Sequence, residues 1–283
     1  MKADLTELDQ LDIPGLIDLS ESVGWDYDEF EVRTLLESGR VFGHKNSAGS
    51  IVSSSAIIPY DTKLASIGMV IVHEEFRGLG LAMEAIRKCA ESINGDRSLM
   101  LIATKEGMPL YEKMGFKTVD YISKFLCDQF VPVKIQKHDG LFIEDFNQSD
   151  FAQLVDLDGA AFGDRRSVFL RNRISQSKQC LVVKNNNGEI IGYGLSIQGP
   201  VNLILGPIAA ADPDTAALIA EKLALHHKGK LRIDVPEGRA DFMSYLERSG
   251  FVKTNTPPVM MKNPAAMPQR DNSLYAIASQ AFG

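Results

Sequence analysis

Residues 72 to 85 read VHEEFRGLGLAMEA, and they place one arginine and two glycines where an apolar run gives way to a helix-like stretch. Ala65 to Val72 upstream has the pattern of a buried strand. Downstream, Leu79, Ala82, Met83, Ile86, Ala90 and Ile93 recur at three- and four-residue intervals, the stripe of an amphipathic helix. A helix N-terminus leaves its first N–H groups unpaired and carries a partial positive charge. Gly78 and Gly80 would let backbone amides from about Leu79 through Leu81 to Ala82 face an anion, and Arg77 adds a charged donor at the same mouth. A diphosphate lying across a strand-to-helix turn is the ligand this predicts. The same residues also serve as plain punctuation at a helix start. No Gly-Lys-Ser/Thr follows, as a P-loop requires, and the strands before the turn read as hairpins, not as a βαβ unit.

Working outward, helical segments are expected at Ile13 to Ser22 and Asp28 to Ser38, separated by VGWDYDE, which carries the only tryptophan, Trp25. A hairpin turning at Asn46 to Gly49 and a turn at Asp61 to Lys63 lead into the strand before the glycine turn. After the amphipathic helix, which NGD at 94 to 96 ends, come a strand at Leu99 to Ala103, a helix around Pro109 to Lys113, and a strand in GFKTVDYISKFL. The expected order is ααβββαβαβ.

Strand, glycine turn, helix and the later segment PLYEKMGF together resemble the GNAT superfamily of acetyl-CoA-dependent N-acetyltransferases, over residues 1 to about 127. The resemblance implies that the pyrophosphate of coenzyme A rests on Arg77, Gly80 and Ala82. It implies too that the pantetheine arm runs along the backbone of Met69, Val70, Ile71 and Val72, and that Tyr111 protonates the leaving thiolate. The loop Trp25, Asp26, Tyr27 and Glu29 corresponds to the part of GNAT-like folds that covers the acceptor mouth. Two departures stand out. Thr104 occupies a position where many members carry Asn, and Ser66, Gly68 and Val70 offer no base on the strand.

The chemistry explains why such parts belong together. An alkylammonium of pKa near 10.4 is neutral in only about one molecule per thousand at pH 7, so it must lose a proton before attacking a thioester. Water can carry that proton to a distant carboxylate. A backbone N–H of a splayed or bulged strand, best sought at Val70 to Val72, can stabilise the oxyanion, and a tyrosine can protonate the thiolate.

The second half repeats the first in damaged form. LYEKMGF at 110 to 116 matches YLERSGF at 245 to 251, Asn46 to Gly49 corresponds to NNNG at 185 to 188, and Gly68 falls opposite Gly206. In that pairing Arg77 becomes Thr215, Gly78 becomes Ala216, Gly80 becomes Leu218 and Tyr111 becomes Leu246. The arrangement resembles bacterial tandem-GNAT proteins. The fold class expected is α/β (α+β): two GNAT-like domains, each a mixed, mainly antiparallel sheet flanked by helices. A catalytic domain is expected at 1–128, a linker at 129–140 and a degenerate domain at 141–283, the last helping to form the acceptor site. Arg165 and Arg166, after FGD, are candidates for an acceptor carboxylate or simply an exposed helix start.

Composition narrows the partners. Of 283 residues, 37 are acidic and 30 basic, for a net charge of −7, which opposes a nucleic-acid or anionic-membrane role. No apolar run reaches the roughly 20 residues of a membrane span. Three well-separated cysteines (Cys89, Cys127, Cys180) without a CxxC pair suit a reducing cytoplasm. His226 and His227 have no ligand cluster beside them, so no metal is expected. Together with the GNAT resemblance, which implies the activity and the donor, these features lead to the expectation of a cytoplasmic N-acetyltransferase, monomer or homodimer, using acetyl-CoA on a small amine. The alternatives are an acyl-CoA-binding regulator and a protein or peptide N-acetyltransferase.

Overall fold

The computed structural model describes residues 3–93, 95–134, 140–264 and 266–283. Its first half comprises β1 (Ala3–Leu8), α1 (Ile13–Glu21), α2 (Glu29–Ser38), β2 (Arg40–Asn46), β3 (Ile51–Pro59), β4 (Leu64–Val72), α3 (Leu81–Glu91), β5 (Ser98–Ile102), α4 (Met108–Lys113) and β6 (Lys117–Cys127). The second half repeats the order: β7 (Phe142–Asp145), α5 (Phe151–Phe162), α6 (Ser167–Gln176), β8 (Gln179–Lys184), β9 (Ile190–Gln198), β10 (Asn202–Ala210), α7 (Pro213–Ala224), β11 (Lys230–Pro236), α8 (Ala240–Arg248) and β12 (Val252–Asn255). β13 (Pro258–Lys262) and β14 (Leu274–Ala276) follow. The fold is mixed α/β with a mainly antiparallel sheet flanked by helices.

β1 is absent from the expected order. It is an edge strand, antiparallel to β2, with only Leu8 buried, so its charged outward residues read as loop. The two hairpin turns come out alike: Gly49 (φ 84°) donates to Asn46 and Gly188 (φ 78°) to Asn185. Of the NGD stretch expected to end the helix, Asn94 lies outside the described residues, as do residues 135–139 of the expected linker.

The halves exchange strands. The start of β6 pairs with β13, Asp120 opposite Val259, and β13 also pairs with β5, Leu101 opposite Met260. From Ile122 onward β6 crosses over: Lys124 lies opposite Asp234 of β11, and Leu126 opposite Val252 of β12. The first half's sheet is thus completed by β13 and the second's by the end of β6, so hydrogen bonding does not follow a division at 128 and 141. Met260 and Phe125, both fully buried, anchor the two crossing strands.

Further contacts fix the halves together. The buried Asp164 carboxylate accepts from Thr62 N (3.1 Å), Thr62 Oγ1 (2.6 Å), Lys63 N (2.7 Å) and Leu64 N (2.7 Å) at the β3–β4 turn. After β14 the chain runs between the halves, where Phe282 is fully buried: its ring lies 4.8 Å from that of Phe169 in α6, and Tyr60 of the first half donates its hydroxyl to the Phe282 carbonyl. A side chain of that size contributes about 1.5–3 kcal/mol when fully buried. No helix among the described residues is long and apolar enough to cross a membrane.

Candidate active site

Strand β4 builds the site by leaving its neighbour. It pairs in parallel with β5 only from Leu64 to Ser66, then the two diverge. On its other side β4 carries a bulge: Ser54 faces Ile71 and Ala56 faces Gly68, so Met69 and Val70 together oppose Ser55. Met69 adopts φ 49°, and its carbonyl is held by the Ser54 hydroxyl at 2.8 Å. That turns backbone groups of β4 toward the gap, where a cleft of about 640 Å³ runs past Met69 to Val72 and Ile102.

The glycine turn closes one end. Gly78 (φ 80°) and Gly80 (φ 82°) hold the left-handed conformation that favours glycine, and the space where a Cβ would project from either is open. Gly80 is the N-cap of α3 and no side chain caps the helix, so the amides of Leu81, Ala82 and Met83 remain available. The exposed Arg77 side chain donates from Nε to the Val72 carbonyl at 3.4 Å and lines the cleft with Ala82. Gly78, Leu79, Gly80 and Leu81 shape the turn without lining the cleft itself. Open space, free amides and an arginine fit a diphosphate.

Tyr111 reaches the same cleft from α4. Its ring lies against Gly107, where a Cβ would sit 2.9 Å from Cε2, and burial pushes its phenol up to about 12. It therefore stays protonated through neutral pH. Thr104 also lines the cleft, and its Oγ1 accepts from Gly107 N at 3.1 Å, which shapes the entry to α4.

The other end is lined by Trp25, Asp26 and Tyr27, with Trp25 and Tyr27 ring centroids 6.1 Å apart. Glu29 lies outside it, paired with Arg33 on the exposed face of α2. Asp28 and Glu31, which the sequence reading did not single out, line it instead. Asp28 caps α2 by accepting from Glu31 N at 2.8 Å, and burial raises its carboxyl above the ordinary aspartate range. Glu31 is locked by Arg173 of α6, by Gln176 Nε2 at 3.0 Å and by Ser279 Oγ at 3.2 Å, all from the second half. Lys124, Arg232 and Gln280 complete this end.

Arg165 and Arg166 are not there. Arg165 is exposed and pairs with Asp156. Arg166 is wholly buried, bidentate to Asp158 at 2.8 and 2.7 Å, with its guanidinium 3.9 Å from the Phe162 ring centroid. Neither the acceptor role nor the exposed helix start holds for it: α5 and α6 bury its charge with a partner, and removing one member of such a pair costs about 3–5 kcal/mol. The aspartate of FGD, Asp164, was the informative residue, through its bonds across the two halves.

Such a site, on a bulged and splayed strand beside an uncapped helix, fits an acyltransferase. Two family models described as acetyltransferase (GNAT) domains match in tandem, at residues 27–136 and 154–276. The Bacillus subtilis (strain 168) protein YitH, an uncharacterized N-acetyltransferase, is 39% identical over 281 residues, 99% of this chain and 98% of that one. The chain belongs to the GNAT acetyltransferase family, with two such domains. Among solved structures, a candidate acetyltransferase from Pyrococcus horikoshii superposes with a TM-score of 0.82 at 20% identity, over 99% of this chain and 96% of that one. A tandem GNAT protein from the clavulanic acid biosynthesis pathway gives 0.64 at 12% identity, over 92% and 98%.

Proposed function

We propose that this protein transfers an acetyl group from acetyl-CoA directly to the amine of a small acceptor, with one catalytic centre, in the first half. The observation that carries this reading is a convergence: the uncapped α3 N-terminus, the bulge of β4 and the Tyr111 phenol all open on one cleft. Arg77 and the amides of Leu81 to Met83 hold the pyrophosphate, and the backbone of Met69 to Val72 holds the pantetheine arm. An N–H turned into the gap by the bulge stabilises the oxyanion.

Asp28 takes the proton of the incoming ammonium through water. It faces the cleft, forms no ion pair among the described residues, and is made more basic by burial. Glu31, by contrast, is tied to a guanidinium. Tyr111, with a pKa of about 12, serves the departing thiolate chiefly as a hydrogen-bond donor, because full ionisation of so weak an acid is costly.

A small acceptor is favoured because the second half roofs that end of the cleft with Gln176, Arg232 and the segment from Ser279 to Ala281. The test is release of free CoA thiol from acetyl-CoA, with and without amines of graded size. Acceptor-dependent release is expected. Tight CoA binding with no release across the panel would leave an acyl-CoA-binding regulator, and release confined to polypeptide amines would make this a protein acetyltransferase.

A further inference from the structure

The acceptor end of the cleft holds two unlike patches of charge. On the first-half side, the loop between α1 and α2 presents Asp26 and Asp28, and neither forms an ion pair among the described residues. On the other side stand Lys124 of β6 and Arg232 of β11. Lys124 and Asp234 are cross-strand partners, and Arg232 lies two residues from Asp234, so all three side chains project from one face of the sheet. Arg232 is satisfied by Asp234, with Nη2 to Oδ2 at 2.6 Å. Lys124 is not: half-buried and lining the cleft, it forms no ion pair among the described residues. Burial and the neighbouring Arg232 both lower its pKa, opposed by Asp234 and Asp26, as expected of an ammonium short of counter-charge.

A half-buried cation facing a cleft, with a second cation behind it and two unpaired carboxylates on the opposite wall, is complementary to a ligand that carries both signs of charge. We propose that the acceptor is zwitterionic, its amine entering against Asp26 and Asp28 and its own anionic group, a carboxylate or a phosphate, held by Lys124 with Arg232 behind. This rests on reading the cleft as an acceptor site. The phosphates of coenzyme A do not explain Lys124. Their donors, Arg77 and the start of α3, follow the C-terminal end of β4, whereas β6 and β11 form the join between the halves. Trp25 and Tyr27 beside the acidic patch supply apolar walls for the body of such a molecule.

The experiment sets each common amino acid against the amine left when its carboxylate is removed (lysine against cadaverine, phenylalanine against phenethylamine), and O-phosphoethanolamine against ethanolamine. Full-length protein loaded with CoA is titrated calorimetrically with each compound, and transfer from acetyl-CoA is followed in parallel. At least one anion-bearing member is expected to exceed its partner by at least roughly tenfold in both affinity and kcat/KM, the worth of one charge-assisted bond. Lys124→Met should raise KM for that member by about the same factor, and by much more than for the plain amine, and Lys124→Arg should restore it. Preference among carboxylates or for the phosphate tells which anion is read.

Plain amines that bind and react as well as their anionic partners would overturn the proposal while leaving acetyl transfer intact. So would a Lys124→Met effect equal for both. Lys124-dependent binding without transfer would uphold it and overturn the proposed reaction. Neither binding nor transfer by any member would overturn both. Should Lys124→Met fail to fold, the wild-type comparison still decides.

Discussion

The same supersecondary unit occurs twice in this molecule, once open and once closed. In the first half α3 begins at Gly80, with no side chain on its free amides. In the second, α7 begins at Asp212, whose carboxylate accepts from Thr215 N at 2.8 Å and from Thr215 Oγ1 at 3.0 Å. The negative group a helix start attracts is there supplied by the chain itself. The splay is closed as well. β10 leaves β11 after Leu205, as β4 leaves β5, but β14 fills the gap: Ile208 pairs with Ala276, and Ile277 N donates to Asp234 O at 3.0 Å. A cavity of about 720 Å³ persists between α7 and α8, yet its lining sets three carboxylates, Asp214, Asp241 and Glu247, against two cations, Lys134 and Arg248, where the open half offers Arg77 and uncapped amides. With carboxylates outnumbering cations, it suits a phosphate less.

The paired glycines show how closure of one half serves the other. A Cβ on Gly206 would lie 2.1 Å from the Ile277 carbonyl oxygen, and one on Gly68 would lie 2.5 Å from that of Ala281. Both strands are kept bare for the same passing segment. Having filled the gap at β10, it crosses to β4 and lines the acceptor end with Ser279, Gln280 and Ala281. Loss of ligand chemistry in the second half thus coincides with a gain of a wall in the first.

If this contrast is real, the residues that differ between the halves should matter most. Tyr111→Phe should lower kcat by about 10²-fold or more with little change in the KM for acetyl-CoA, since the phenol acts as the thiolate departs. Circular dichroism should show an intact fold. Unaltered kcat would make the ring a packing element, like its counterpart Leu246, which is fully buried. Arg77→Ala comes next. It should weaken CoA binding by about 1.5–3 kcal/mol with one site per chain, as calorimetry would read. Unchanged affinity would mean that the α3 amides alone distinguish the halves.

The sequence shows the open half better than the closed one for physical reasons. Positive-φ glycines and a helical stripe are local, so the turn at 77–80 can be read directly, as can the internal repeat. Strand exchange leaves no local trace, because the residues of β6 and β13 suit a strand whichever sheet they join. In the sequence the acceptor end is legible only in the loop at Trp25 to Tyr27, while Arg165 and Arg166 draw attention elsewhere, and Lys124, Arg232 and Ser279 reach it from distant points in the chain. Arg166 misled because a surface-like pair of arginines carries no sign of the aspartate, Asp158, that meets it only after α5 forms. Asp28 was hidden in plain view as a helix cap.

Asp28→Asn tests that double role with a smaller effect. Asparagine caps a helix about as well as aspartate, so stability should hold while the base is lost. The fall in kcat should be about tenfold, below the roughly 10²–10⁴-fold usual for general-base catalysis, because water also reaches the open mouth. In the wild type kcat should rise with pH as Asp28 ionises. Because burial raises its pKa above the ordinary aspartate range, that acidic limb should lie higher than for an exposed aspartate. The limb should vanish in the variant. If it survives unchanged, another group takes the proton.

The smallest effect bears most directly on why the second half is closed. Asp212→Ala removes the cap of α7 and should cost about 1 kcal/mol of stability, seen as a lower Tm in calorimetric unfolding. Exposing the Thr215 amide would give α7 a free N-terminus like that of α3, but β14 would still occupy the space along β10 and β11. A diphosphate bound only at a helix start, with no room for its pantetheine arm, loses most of its contacts. The variant should therefore bind one CoA per chain, as the wild type is expected to. Appearance of a second CoA site would mean that the Asp212 carboxylate, and not the filled gap, keeps cofactor out of the second half.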